Sequence, residues 1–217
     1  YDSSSFKDIS ISAGPSPPKT KSGAMAGYKD LGIMFGGIIE GKEFLGSRIV
    51  KDLWIFEEAL TKGHYTWSTR DHGREKVSPS PRAAMSLAPL SHPTLGDFLL
   101  LYGGYNGQTS GGTLGDTWLL SMNNVIAWHE WKNERNVKET GMPPLNTYAM
   151  APVGGGVLIY GGILPDEVPE DKSFRTWFFT CNAPPKGITN TLDNDCNWRE
   201  FKSATQHYPD VIRQRAV

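Results

Sequence analysis

The residues of this chain that could do chemistry are five histidines, two cysteines and several serines next to glycines. A metal centre would need histidines or carboxylates grouped at short, regular spacing. The histidines are instead scattered singly, so we expect each of them to be a loop or surface residue. The sequence predicts no metal site among these five positions: His64, His72, His92, His129 and His207.

Serine nucleophiles and phosphate-binding loops are not indicated either. No Gly-x-Ser-x-Gly motif occurs, and Ser110 stands before two glycines in a stretch typical of a flexible loop. The glycine-rich stretches 103–115 and 154–156 lack the lysine and the following helix that a phosphate loop would need. The sequence therefore predicts no catalytic residue and no cofactor.

The two cysteines, Cys181 and Cys196, leave two interpretations open. They lie between two stretches that would pair as a hairpin, which would place both thiols at its base. A disulfide there would close a loop of about 15 residues, contribute ~3 kcal/mol on the chain-entropy estimate, and imply an oxidising compartment. Two unpaired thiols packed as small hydrophobes in a cytosolic protein are the alternative. We place the disulfide first, and with it an extracellular or cell-surface location ahead of a cytoplasmic one.

The elements that carry these residues repeat three times. An apolar stretch ends in a diglycine, a polar loop and a second apolar stretch with a tryptophan follow, and a closing tryptophan comes last. Glycine allows positive φ and leaves no Cβ to clash with a neighbouring sheet, while aromatic and β-branched residues favour strands. Such a period indicates a repeat architecture. The diglycines and closing tryptophans are Gly36, Gly37 and Trp67; Gly103, Gly104 and Trp128; and Gly161, Gly162 and Trp198.

This pattern resembles the kelch repeat, which is found in the protein superfamily that includes galactose oxidase. The third copy departs from the pattern, because it has Arg175 where the second has Asp116, and Leu145 where the second has Arg82. The resemblance nevertheless covers nearly the whole chain. The second copy carries the motif most fully, as Pro81-Arg82, then Leu101-Tyr102-Gly103-Gly104, then Asp116-Thr117-Trp118, then Trp128.

The resemblance implies an all-β fold, a kelch-type β-propeller whose repeats are four-stranded blades with strands a to d from the axis outward. We expect three complete blades at about 22–70, 82–131 and 148–201. Residues 1–21 would end a preceding blade and residues 208–217 would begin a following one. An arc of three blades would expose apolar faces, which natural β proteins avoid. We therefore expect one segment of a larger propeller, within a larger chain or complex.

Composition narrows the classes of partner. The chain is 38% hydrophobic and has no apolar run near the roughly 20 residues of a membrane span, so no membrane insertion is expected. Its formal net charge of −1 offers no general attraction to nucleic acid.

The loops are the remaining candidate site. In a propeller the b–c loops and the d–a links emerge on one face, and function usually resides in such loops. Those of the first repeat are mainly basic and those of the third acidic, which suits a charged protein partner. The sequence predicts a non-catalytic protein-interaction or assembly scaffold. The candidate partner-binding residues are Lys42, Arg48, Arg70, Arg74, Tyr105, Asn106, Gln108, Asp166 and Glu167.

Two other functions stay open. The resemblance to galactose oxidase, a copper enzyme, allows an enzyme whose catalytic residues lie outside this segment. A carbohydrate-binding module is the other alternative, because Tyr105 and three tryptophans supply aromatic faces. The tryptophans occupy equivalent positions in strand c, which indicates packing instead: Trp54, Trp118 and Trp177.

Overall fold

Three β-sheets follow one another along the described part of the chain. The computed structural model describes residues 10–12, 14–41, 46–70, 77–107, 112–123, 125–166, 168, 174–183 and 191–201. Strands dominate these residues and the sheets are antiparallel but for one short pair, which confirms the predicted all-β class.

The first sheet contains six strands. In space their order is β1-β6-β5-β4, and both β2 and β3 pair with β4. The pairing is antiparallel except between β1 and β6, which are parallel. Residues 10–11 and 20–21, within the segment predicted to end a preceding blade, thus pair inside this sheet. Its strands are β1 (Ser10–Ile11), β2 (Thr20–Lys21), β3 (Ala24–Tyr28), β4 (Leu31–Ile39), β5 (Arg48–Glu58) and β6 (His64–Arg70).

The second and third sheets are four-stranded antiparallel meanders. The order in the second sheet is β7-β8-β9-β10, and in the third it is β11-β12-β13-β14. The strands of the second sheet are β7 (Ser86–His92), β8 (Gly96–Tyr105), β9 (Thr113–Ser121) and β10 (Trp128–Trp131). Those of the third are β11 (Ala149–Val153), β12 (Gly156–Tyr160), β13 (Thr176–Cys181) and β14 (Cys196–Phe201).

The diglycines form bulges in the first two sheets. Strand β4 does not end at its diglycine, as the sequence suggested, but shifts register between Phe35 and Gly37 and pairs onward to Ile39. Strand β8 does the same between Tyr102 and Gly104. An extra residue with positive φ turns the strand without ending its ladder.

Two hydrophobic cores lie between the sheets. Alternate residues of each strand point to opposite faces, so the second sheet contributes to both cores. The core between the first and second sheets includes Ile33, Phe35, Leu53, Ile55, Leu99, Leu101, Trp118 and Trp128. The core between the second and third includes Leu100, Tyr102, Leu119, Trp131, Val157, Ile159, Trp177, Phe179 and Trp198.

Two short helices and a disulfide complete the described structure. Helix α1 (Glu134–Thr140) is capped at its start by Asn133, whose side chain accepts from Asn136 N, and at its end by Gly141, with a φ of 63°. Helix α2 (Leu192–Asp195) leads directly into β14. Cys181 and Cys196 are opposite each other on β13 and β14 and form a disulfide, as predicted.

Candidate functional site

The loop between β4 and β5, which corresponds to the predicted first b–c loop, is held at its base by the link that leads into the second sheet. Arg82, in the link that leads into β7, accepts a hydrogen bond from Gly37 N at 2.9 Å and donates its own N–H to Val50 O at 3.2 Å. Gly37 and Val50 are paired residues on β4 and β5, so one residue spans both stems of the loop. A Cβ on Gly36 would lie 2.5 Å from Arg82 O, which explains a glycine there.

The second b–c loop is held in the same way. Leu145, in the link that leads into β11, accepts from Gly104 N at 2.9 Å and donates to Leu114 O at 3.1 Å. Gly104 and Leu114 are again paired stem residues. We call this arrangement of two backbone hydrogen bonds the loop clamp. It places the b–c loops and the following links at the same ends of neighbouring sheets.

The positions two residues before β3, β7 and β11 repeat a second backbone feature. Ser22, Ala84 and Thr147 all have left-handed φ, at 56°, 54° and 52°. Thr147 N donates to Ala84 O at 2.8 Å, and Ala84 N donates to Ser22 O at 2.8 Å. Such strained backbone persists only where its surroundings hold it. The hydrogen bonds link the three positions into a continuous chain that crosses all three sheets.

An ion pair with the partly buried Asp116 supports the first clamp residue, Arg82. The fully buried Arg82 guanidinium contacts both oxygens of Asp116, at 2.7 and 2.8 Å, and donates to Gly103 O at 2.9 Å. Trp118 Nε1 donates to the same carboxylate at 2.6 Å. Burial alone would raise the pKa of the Asp116 carboxyl, but the hydrogen bonds and charge of Arg82 outweigh it and lower the pKa. Asp116 is therefore ionised, and its negative charge balances the positive charge of Arg82.

The third repeat lacks this ion pair, because both of its members are changed to other residues. Leu145, at the position of Arg82, is fully buried and needs no carboxylate. Arg175, at the position of Asp116, pairs with Glu200 on the neighbouring strand at 3.1 Å. Both departures from the motif therefore have partners that suit them.

We define the loop face by the described residues 38–41, 46–51, 77–81, 105–107, 112–115 and 163–166. Arg48 and Asp166 are exposed on it, and Tyr105 is 40% exposed. Tyr105 also pairs through its backbone with Ala83. Lys42, Arg74, Gln108 and Glu167 lie outside the described residues, as does the side chain of Arg70 at the end of β6. Asn106 is half-buried next to Tyr105.

Two neighbouring b–c loops meet on this face. A Cβ on Gly107 would lie 3.7 Å from the Tyr105 ring and 3.8 Å from Ile49 Cδ1. Ile49 follows Arg48 at the start of β5. The structure thus brings Gly107, beside the Tyr105 ring, close to Ile49, the residue after Arg48, whereas Asp166 lies after β12 of the third sheet.

The prediction that each histidine is a loop or surface residue is wrong for His92. Its side chain is fully buried, and Nδ1 accepts from Leu95 N at 3.0 Å and Thr94 N at 3.2 Å. Its Nε2 lies 3.4 Å from Asp195 Oδ2. Burial lowers the pKa of His92, and the Asp195 charge offsets this only in part. Periodicity could not reveal this contact, since Asp195 lies far along the chain.

The other described histidines, His64 and His129, are exposed to solvent, unlike His92. His129 is 42% exposed and its Nε2 lies 3.1 Å from Asp193 Oδ1, while His64 is exposed and His72 and His207 lie outside the described residues.

The equivalent strand c tryptophans are packed in the sheets and do not form an exposed aromatic platform. Their exposures are 9% for Trp54, 5% for Trp118 and 0% for Trp177.

Within the described residues, no group of three or more histidine, cysteine or acidic side chains is placed to hold a metal ion. No helix in that part of the chain is long and apolar enough to cross a membrane. No protein-family model and no curated protein matches this chain.

Proposed function

We propose that the three sheets are consecutive blades of a kelch-type β-propeller that serves as a non-catalytic protein-interaction or assembly scaffold. The loop face binds the partner, and the b–c loops and links carry the contacts. The observation that supports this most is the loop clamp at Arg82 and Leu145, which recurs between successive sheets. A scaffold that fixes loop bases while loop sequences differ is the usual arrangement of a binding surface.

The charges of the loop face suggest the chemistry of the partner. The exposed Arg48 and Lys51 are on the first sheet and the exposed Asp166 is on the third. Tyr105 lies between them on the second sheet and is partly exposed. Exposed aromatic and arginine side chains are common anchors in protein interfaces. We infer a protein partner with an acidic region opposite the first sheet and a basic region opposite the third.

The disulfide supports an oxidising location for this interaction. Cys181 and Cys196 are both buried, and their bond closes the loop between β13 and β14. Stable disulfides persist mainly in secreted and surface proteins. We therefore propose an extracellular or cell-surface partner.

The test is affinity purification from the native source with charge-reversal variants. Arg48→Glu/Lys51→Glu alters the loop face, while Lys62→Glu reverses an exposed charge in the turn between β5 and β6, at the opposite end of that sheet. We expect the natural chain and Lys62→Glu to retain the same partner, and the double variant to lose it.

Retention of every partner by the double variant would contradict the role of Arg48 and Lys51. The alternative, an enzyme with catalytic residues elsewhere in a longer chain, would be supported by turnover of a substrate with a bound metal ion. Metal analysis of the full-length protein separates that function from a scaffold.

A further inference from the structure

The loop between β8 and β9 begins with the pair Asn106-Gly107, the one place in the sequence where a glycine follows an asparagine. In such a pair the backbone nitrogen of the glycine can attack the side-chain amide carbon of the asparagine. A glycine has no Cβ to crowd that nitrogen, and its backbone adopts the conformation of the resulting cyclic imide without a steric penalty. The pair is therefore a candidate site of chemical modification on the loop face.

The fold leaves Gly107 in a position that suits this attack. Strand β8 ends at Tyr105, and Asn106 N still donates to Gly112 O at 2.9 Å. Gly107 is exposed, with a φ of 68°, and a Cβ on it would make ordinary contacts of 3.7 and 3.8 Å. Among the described residues, none accepts a hydrogen bond from Gly107 N. In that part of the chain, the pairing of this loop stem thus stops one residue before the glycine.

Asparagines elsewhere in the fold are placed differently. The Asn136 amide accepts from Trp198 N and donates to Trp198 O, and Asn123 Nδ2 donates to Leu95 O at 2.9 Å. Both are followed by a residue that has a side chain. A bonded amide cannot turn towards the next backbone nitrogen, and a Cβ beside that nitrogen hinders its approach. Asn106 differs from both in the glycine that follows it, so we expect it to react first.

We propose that Asn106-Gly107 is a self-modification site, at which a neutral amide of the loop face becomes a carboxylate. A bond forms between Gly107 N and Asn106 Cγ while the bond from Cγ to Nδ2 breaks, and the proton of Gly107 N leaves with Nδ2 as ammonia. Water then opens the cyclic imide at either of its carbonyls and gives aspartate or isoaspartate at position 106. The reaction consumes water, releases ammonia and involves no oxidation or reduction.

The new carboxylate would change the charge beside the basic part of the loop face. A Cβ on Gly107 would lie 3.8 Å from Ile49 Cδ1, and Ile49 follows the exposed Arg48. Each conversion makes the formal net charge of −1 more negative by one unit. The effect on binding rests on the proposed function: a partner with an acidic region opposite the first sheet would be repelled by the added charge. The site would thus weaken partner binding as the protein ages.

Mass spectrometry of peptides from the folded chain tests the site. After incubation in neutral and in mildly alkaline buffer, we expect the peptide with Asn106 to gain one mass unit. The gain should be faster in alkaline buffer, because the deprotonated Gly107 nitrogen is the nucleophile. Methyl transfer by an isoaspartyl methyltransferase should label the same peptide. Asn106→Gln, whose longer side chain would have to close a larger ring, is the matched control and should gain far less label.

The same incubation in urea supplies the comparison with the unfolded chain. An Asn106 peptide that converts in urea and stays unchanged in the folded chain would overturn the proposal, because the folded loop would then exclude the cyclic imide. Conversion in neither state would overturn it as well. So would folded-state conversion no faster than that of the peptides with Asn123 and Asn136.

Asn106→Asp separates this inference from the proposed function. In the affinity purification described above, Asn106→Asp should recover severalfold less of the partner than the natural chain, and Asn106→Gln should recover as much. Equal recovery by Asn106→Asp, with conversion seen by mass, would overturn the effect on binding alone. Absence of conversion would overturn the modification site and leave the test of the loop face with Arg48 and Lys51 intact.

Discussion

Arg82 joins two sheets through both its backbone and its side chain. Replacing it with leucine, as at position 145, would take the guanidinium away from Gly103 O and from Asp116, which would keep its hydrogen bond from Trp118 Nε1. The Asp116 side chain is 29% exposed, so the cost is lower than for a fully buried pair and close to the about 1–3 kcal/mol that loss of a hydrogen-bond partner costs a buried polar group. We expect Arg82→Leu to lower the free energy of unfolding by that amount in urea denaturation.

The double variant Arg82→Leu/Asp116→Asn should lose less stability than Arg82→Leu, because it leaves no unpaired carboxylate at position 116. Arg135→Leu, which removes an 87% exposed arginine from a surface pair, should change stability by less than about 0.5 kcal/mol. A double variant no more stable than Arg82→Leu would show that the charge is not the cause.

His92 makes the junction of the second and third sheets sensitive to acid. Its Nδ1 faces two N–H donors, which favours the neutral ring, and burial lowers its pKa from the ordinary value of 6.5. The unfolded chain therefore binds this proton more readily than the folded one. Stability from His92 is present above pH 6.5 and is lost as the pH falls below it towards the folded pKa.

His92→Asn should flatten this pH dependence, because the amide oxygen can accept from Leu95 N without titrating near neutral pH. The measurement is the free energy of unfolding at a series of pH values from 8 to about 5. His64→Asn, on an exposed histidine, is the control and should keep the natural profile. Equal slopes for natural chain and His92→Asn below pH 6.5 would contradict the assignment to this ring.

At the scale of elements, helix α1 protects an open sheet edge. The Asn136 amide accepts from Trp198 N at 2.8 Å and donates to Trp198 O at 3.1 Å, so it imitates a neighbouring strand of β14. Asn133 Nδ2 adds a bond to Asp193 O at 2.9 Å. Covering a strand edge is one way in which natural proteins prevent pairing with other chains.

Asn136→Ala should expose this edge while keeping the helix, since alanine favours helices. Two unsatisfied backbone groups at Trp198 should cost about 1–3 kcal/mol, or about tenfold or more in the amide exchange rate of Trp198. Hydrogen exchange measures that amide directly. Arg135→Ala, one residue earlier and exposed, should leave the exchange unchanged.

The strands could be predicted from the sequence more fully than the helices. Alternating apolar residues and the diglycines mark the strands, because sheet packing requires both. Helix α1 has no buried residue and therefore no apolar stripe that periodicity could detect. It depends on Asn133, Gly141 and the long-range contact of Asn136 with Trp198.

At the scale of the whole molecule, equivalent tryptophans differ in what covers them. Trp128 is 6% exposed between two sheets, whereas Trp67 lies half-buried on the outer side of the first sheet. Truncating a buried tryptophan typically costs about 3–5 kcal/mol. We expect Trp128→Ala to lose that amount and Trp67→Ala less than half of it, in unfolding measured by urea denaturation. Equal losses would mean that both tryptophans are equally covered.

Only part of the candidate site could be predicted from the sequence. Arg48 and Asp166 were predicted as loop residues, whose charged side chains are usually solvated, and both are exposed, although Arg48 is the first residue of β5. The clamp could not be predicted, because it uses backbone atoms. Arg82 and Leu145 have unlike side chains and yet make the same two hydrogen bonds.

Because the loop clamp uses only backbone atoms, the sequences of the β4–β5 and β8–β9 loops can be replaced without removing it. Arg82 holds Gly37 and Val50, and Leu145 holds Gly104 and Leu114, whatever sequence lies between each pair of stems. Closing a longer loop costs little once its ends are fixed. Foreign peptides grafted between these stems would be displayed side by side on a preformed surface, which would make the chain a framework for engineered binding proteins.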